Sequence, residues 1–155
     1  MIHTTLKDAL EGHLDTTGHY VYLYRDGDVV FYIGMSSSPL DRLQEHIGRG
    51  QRQIGKSLLG QTIADNMPEA LTWQVEFFTL ADCEPLMLQH SPGTYLWFKT
   101  ALEQFQADTD CFPESAVRAA EDMLIRLHRP CLNTLGDRQG LRLPERYVKP
   151  EIIIM

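Results

Sequence analysis

Apolar and polar positions in the first third of the chain predict a short helix, a β-hairpin and a second helix. Residues 5–14 place leucines and an alanine at helical spacing, and a Thr-Thr-Gly break follows them. Residues 20–24 and 29–33 are rich in aromatic and β-branched side chains, which favour strands. An Asp-Gly dipeptide between them is typical of a tight hairpin turn. The second helix is predicted to begin at Ser38 as N-cap, with Pro39 in its first turn.

The middle of the chain predicts one further helix and a third strand. A helix is expected over residues 56–66, and Pro68 follows it. Over residues 71–78 large apolar side chains alternate with polar ones, which predicts a strand that is buried on one face only.

Between residues 81 and 129 the chain is predicted to be helical apart from two breaks, at residues 81–93 and 108–113. Residues 81–93 show no clear period and are expected to form a loop, whereas residues 95–105 are expected to form a helix. The clearest helical pattern covers residues 114–129, and Pro130 ends it. The apolar stripe of this last helix consists of Val117, Ala120, Leu124 and Leu127.

Composition is that of one ordinary globular domain. The chain has 155 residues, of which 43% are hydrophobic and 23% are charged, so a hydrophobic core can form without a metal or disulfide. The pattern therefore predicts an α/β (α+β) fold with a small three-stranded antiparallel sheet flanked by helices. The chain lacks a long apolar stretch and a secretory leader pattern, and its three cysteines have no paired spacing. We expect a cytoplasmic protein without membrane contact.

Charge does not favour non-specific nucleic-acid binding, since 14 basic and 21 acidic residues give a net charge of −7. The positive charges are unevenly distributed, however, and a cluster of them follows the start of the second predicted helix. Besides Arg42, the candidate nucleic-acid contacts in this cluster are Arg49, Arg52 and Lys56.

Two short motifs occur in the hairpin and are followed by spaced polar residues. Gly18-His19-Tyr20 is separated by eleven residues from Tyr32-Ile33-Gly34, Arg42 lies eight residues after Gly34, and His46 lies four residues further on. Downstream, Glu121 lies in the last predicted helix and Pro130-Cys131-Leu132-Asn133 follows it. This ordered set resembles the signature of the GIY-YIG nuclease superfamily over roughly residues 18–80 and 114–135.

The resemblance implies a single domain whose core covers those two stretches. Residues 81–113 then form an insertion with a helix ahead of the glutamate-bearing helix, and residues 136–155 form a C-terminal tail. It also implies a metal-dependent endonuclease that hydrolyses phosphodiester bonds in DNA, working with a targeting protein or as a homodimer.

The resemblance further implies a role for each matched residue. Arg42 stabilises charge on the phosphate, Glu121 binds Mg²⁺ or Mn²⁺, and Gly34 and Asn133 brace the site. Tyr20, Tyr32 and His46 handle water and protons, with either a tyrosine or the histidine as general base. Tyr20, Tyr22 and Tyr24 are expected on one face of their strand, and Tyr22 is the alternative to Tyr20 as the signature tyrosine.

A second function remains open from the sequence. Met35 stands where many family members carry lysine, and the net charge is negative. Both features favour an inactive module of the same fold that binds nucleic acid or a protein partner.

Overall fold

The computed structural model describes residues 1–52, 57–107, 112–133 and 142–149, with side chains in the first two ranges described up to residues 47 and 104. In these ranges the chain has a mixed α/β fold with four strands and six α-helices. The strands are β1 (Ile2–Thr5), β2 (His19–Asp26), β3 (Val29–Met35) and β4 (Gln74–Thr79). The helices are α1 (Leu6–Glu11), α2 (Pro39–Arg52), α3 (Leu58–Asp65), α4 (Leu80–His90), α5 (Pro92–Ala107) and α6 (Glu114–His128).

The four strands form one antiparallel sheet in the order β1-β4-β2-β3. The predicted hairpin is confirmed as β2 and β3, which pair from Val21 opposite Met35 to Asp26 opposite Val29. The sequence predicted three strands, one fewer than the described residues contain, because β1 was not predicted. It has only four residues and one large apolar side chain, and it pairs through its backbone with β4 before Thr5 caps α1.

Both faces of the sheet are covered by helices. On one face, α1, α2 and α3 pack against Tyr22, Phe31 and Phe77; on the other, α4, α5 and α6 pack against the remaining core residues of the strands. As a result the four residues Val75 to Phe78 are all buried, including Glu76. The predicted one-sided burial of this strand was wrong because alternation in sequence does not exclude a second covering layer.

The region predicted to be a loop at residues 81–93 is mostly helix α4. Thr79 and Asp82 form a reciprocal capping box at its start, so two otherwise unpaired backbone N–H groups are satisfied. Cys83 and Met87 lie on its buried face, while Pro85 interrupts the pattern that would have indicated a helix. The helix predicted at 95–105 is confirmed as part of α5, whose Phe98 is fully buried against the same core.

Helix α6 has its predicted extent, but one residue of its predicted apolar stripe is not buried. Leu127 is exposed, whereas Met123 and Ile125 are buried, since α6 contacts α4 and α5 as well as the sheet. The helix ends at His128, and its C-cap residue Arg129 adopts a left-handed conformation with a φ of 49° before Pro130. The strand predicted from residue 71 begins at Gln74, after a 3-10 turn at Glu69–Thr72.

Residues 142–149 of the predicted tail pack against the sheet. The Tyr147 ring contacts Phe31 and Trp73, and its hydroxyl donates a hydrogen bond to Asp26 Oδ2 at 2.6 Å. This segment closes the α1–α3 face over the hairpin turn. Within the described residues, the helices are all too short or too polar to cross a lipid bilayer.

Candidate active site

The phenol of Tyr22 lies over Gly34, directly across the hairpin. A Cβ atom at Gly34 would overlap the Tyr22 ring, so glycine is required for this close approach. The Tyr22 ring is also stacked on Tyr32, with ring centroids 6.3 Å apart and an interplanar angle of 27°. The hairpin thus places two tyrosines side by side at the glycine of the Tyr-Ile-Gly motif.

Arg42 brings positive charge to these tyrosines from the first turns of α2. Its guanidinium lies near enough to the Tyr22 hydroxyl to act on the pKa of that phenol, and it pairs with Glu45 Oε1 at 3.0 Å. Burial raises the pKa of Tyr22 strongly, Tyr32 adds to the rise, and Arg42 opposes it only in part. The Tyr22 phenol is therefore protonated at neutral pH and acts as a hydrogen-bonding group in this state.

His46 lies one helical turn after Arg42 and is only 6% exposed. Its ring centroid is 5.6 Å from that of Tyr32, at an interplanar angle of 66°. Its Nδ1 atom lies 2.7 Å from the Oγ atom of Ser57, the N-cap residue of α3. The imidazole is thus held between the N-terminus of α3 and the ring of Tyr32.

Glu121 lies on α6, which covers the opposite face of the sheet. Its side chain is half-buried, and its negative charge contributes to the raised pKa of Tyr22. In the part of the chain that is described, no three His, Cys, Asp or Glu side chains lie close enough together to enclose a metal ion. A metal here would be held by Glu121 with water and substrate oxygens, a donor set that fits Mg²⁺.

Asn133 connects the segment after α6 to the same strand. Its Oδ1 atom accepts a hydrogen bond from the Ile33 N–H at 2.9 Å, and its Nδ2 atom donates to the Ile33 carbonyl at 2.8 Å. Ile33 lies between Tyr32 and Gly34, so this buried pair of bonds fixes β3 where the signature residues project from it.

Tyr20 is not part of this group. A bulge between His19 and Val21 interrupts the pairing of β2 with β4, and the Tyr20 ring packs on the α4–α6 side, edge-on to Phe112 at 5.0 Å. The expectation that Tyr20 shares a face with Tyr22 was therefore wrong. Tyr22, the alternative, is the tyrosine that meets Gly34 and Arg42.

The predicted nucleic-acid contacts fall where side chains are not described. Arg49 and Arg52 belong to the last turns of α2, and their side chains lie outside the described residues, as does all of Lys56. Conversely, sequence reasoning missed Ser57, whose only signal was an N-cap residue type before an apolar run.

No family model, curated protein or solved structure matches the chain.

Proposed function

We propose that the protein is a metal-dependent endonuclease that hydrolyses phosphodiester bonds in DNA, with a GIY-YIG-like fold and site. The observation that supports this most strongly is the Tyr22 phenol, which is packed over Gly34, is stacked on Tyr32 and lies within the electrostatic influence of Arg42 on α2 and Glu121 on α6. Buried titratable groups whose pKa is shifted both by burial and by neighbouring charges are concentrated at functional sites.

Each side chain has a chemical task in this proposal. Arg42 binds phosphate oxygens with its planar pair of donors and stabilises the charge of the transition state. Tyr22, which stays protonated, orients the phosphate or the attacking water through its hydroxyl. Glu121 holds Mg²⁺ or Mn²⁺, which supplies positive charge beside the reacting phosphate when bound.

Proton transfer is assigned to His46 with Tyr32. The attacking water must lose a proton and the leaving oxygen must gain one. An imidazole exchanges protons near neutral pH, whereas the raised pKa of Tyr22 makes that phenol a poor base. We therefore assign the general base to His46 and a proton-relaying or orienting role to Tyr32, which is more exposed than His46.

Substrate binding by the isolated chain is proposed to be weak. The net charge of −7 opposes DNA at long range, so Arg49, Arg52 and Lys56 would supply the local attraction. A targeting protein or a second copy of the chain would supply the rest of the affinity.

The second candidate is a module of the same fold that binds nucleic acid or protein without cleavage. It is favoured by the burial of the site, since Tyr22 is 1% exposed and His46 is 6% exposed. Side chains that are so enclosed also stabilise the contact between α2 and the sheet.

Nicking of supercoiled plasmid at low salt distinguishes the two functions. We expect nicking with Mg²⁺ or Mn²⁺, none with chelator, and at least a hundredfold slower reaction for Arg42→Ala and Glu121→Gln. The matched controls are Arg118→Ala and Glu114→Gln, which change an exposed pair on α6 and should remain within twofold of wild type.

Two results would contradict the nuclease. Cleavage that survives Arg42→Ala would show a different or contaminating activity. No cleavage of plasmid, branched DNA, single strands or RNA by folded wild-type protein would favour the binding module.

A further inference from the structure

Ser57 makes two hydrogen-bonding contacts with its single hydroxyl oxygen. As N-cap of α3 it accepts a hydrogen bond from the Gly60 N–H at 3.1 Å. The same Oγ atom is 2.7 Å from His46 Nδ1 on α2, which is a short and well-formed contact. Helix capping alone does not require this second contact.

The approach of α3 to α2 at this point is unusually close. Gly60 faces the backbone carbonyl of His46, and a Cβ atom there would overlap that carbonyl. Two backbone segments in direct contact cannot shift easily, so the Ser57 oxygen is held at a fixed position relative to the imidazole.

A neutral imidazole carries its proton on either Nδ1 or Nε2, and only the nitrogen without a proton can act as a base. A serine oxygen has two lone pairs, of which the Gly60 N–H uses one. The other can accept the Nδ1–H of His46, and in that tautomer Nε2 is the ring nitrogen that carries no proton.

We propose that Ser57 is a positioning residue that accepts the Nδ1–H of His46 and thereby fixes the tautomer and orientation in which Nε2 is the base. This inference rests on the proposed nuclease function, since it assigns Ser57 a task in that reaction. Ser57 itself is uncharged and does not touch the substrate. Among the described residues, the Tyr32 ring on β3 contacts the imidazole. On its own helix, Arg42 and Glu45 pair with each other and lie four residues and one residue before His46.

The first test reads the tautomer directly and needs no activity. The ¹⁵N chemical shifts of the His46 ring are measured at pH 8.5, above the ordinary histidine pKa of about 6.5. The His46 signals are assigned by through-bond NMR correlations. We expect the Nδ1–H form in wild type and in Ser57→Thr, which keeps the hydroxyl, and a shift toward the Nε2–H form in Ser57→Gly. Glycine is the chosen replacement because it is tolerated as an N-cap.

The second test is kinetic and uses the same variants in plasmid nicking. Ser57→Gly should lower kcat about tenfold and leave KM within twofold of wild type. The loss is smaller than the ~10²–10⁴-fold rate enhancement that a general base contributes, because His46 itself is still present. Ser57→Thr should restore kcat. The matched control is Thr79→Ala, which removes the N-cap of α4 and so lowers stability, but should leave the His46 spectrum and kcat unchanged.

The outcomes separate this inference from the proposed function. A wild-type Nε2–H tautomer, an unchanged spectrum in Ser57→Gly, or a shifted spectrum with unchanged kcat would each overturn the positioning role. A wild-type protein that cleaves nothing would overturn the nuclease and the catalytic part of this inference, while the ¹⁵N spectra would still show whether Ser57 fixes the ring.

Discussion

At the scale of single residues, the buried phenols of Tyr22 and Tyr24 determine how the site responds to pH. Burial raises the pKa of both, and Arg42 offsets this only in part. The sequence could place these tyrosines on a strand, but it could not say which of them is enclosed. That depends on the bulge after His19 and on the glycine opposite Tyr22, both of which are tertiary features.

The raised pKa values of Tyr22 and Tyr24 predict that the protein loses stability at alkaline pH. Above pH 10 the unfolded chain releases phenol protons that the native protein retains, so the free energy of unfolding falls as pH rises. Each such phenol contributes about 1.4 kcal/mol per pH unit, and Tyr22→Phe should remove the contribution of one. Urea unfolding between pH 8 and 11 measures this slope for wild type and variant.

The matched control for that experiment is Tyr20→Phe, since this ring packs with Phe112 on the other side of the sheet. Some decline should remain in Tyr22→Phe, because Tyr24 is still buried and burial also raises the pKa of Cys83 to about 12. Equal slopes in wild type and Tyr22→Phe would show that the Tyr22 phenol ionises freely in the native state.

At the scale of elements, sequence patterns identified those that have one apolar stripe or a distinctive turn. The hairpin and α6 are examples, and the Ser38 start of α2 is another, since the Arg42 N–H bonds to the Ser38 carbonyl at 3.0 Å. β1 was missed because it is stabilised by pairing with β4, which is far from it in sequence. α4 was missed because Pro85 lies inside the helix and interrupts its pattern.

The contact between α2 and α3 predicts opposite effects for two glycine substitutions. Gly60→Ala should lower the free energy of unfolding by about 1–3 kcal/mol, because its Cβ meets the rigid carbonyl of His46. This outweighs the gain of up to about 1 kcal/mol in helix propensity. Gly93→Ala is the control on α5, where a Cβ has no atom within 4 Å, and it should be neutral or stabilising.

Urea unfolding followed by tryptophan fluorescence gives both values at pH 7.5. If Gly60→Ala proved as stable as Gly93→Ala, α3 would have room to move from α2, and the fixed geometry between Ser57 and His46 would lose its support.

At the scale of the whole molecule, the site is formed by segments far apart in the chain. Asn133 bonds to Ile33 across a separation of one hundred residues, and Tyr147 bonds to Asp26 across 121. The resemblance to the GIY-YIG signature indicated Asn133, whereas Tyr147 belongs to a tail without any period. Because its role arises from packing on Phe31 and Trp73 and from its bond to Asp26, all distant in sequence, no local pattern could have revealed it.

Docking of residues 142–149 should therefore contribute to the stability of the whole sheet. Tyr147→Ala removes a ring that is only 8% exposed, and we expect the free energy of unfolding to fall by about 2–4 kcal/mol. Tyr147→Phe keeps the ring and loses only the bond to Asp26, so the free energy of unfolding should fall by about 1 kcal/mol.

The matched control is Tyr95→Phe, which removes a tyrosine–glutamate bond at a more exposed position on α5 and should lower the free energy of unfolding by less. In urea unfolding, the alanine variant should also change the native fluorescence of Trp73, since Tyr147 lies 5.8 Å from that ring. Equal stabilities for Tyr147→Ala and Tyr147→Phe would mean that the tail is a surface attachment, and the hairpin that carries Tyr22 and Tyr32 would then be stable without it.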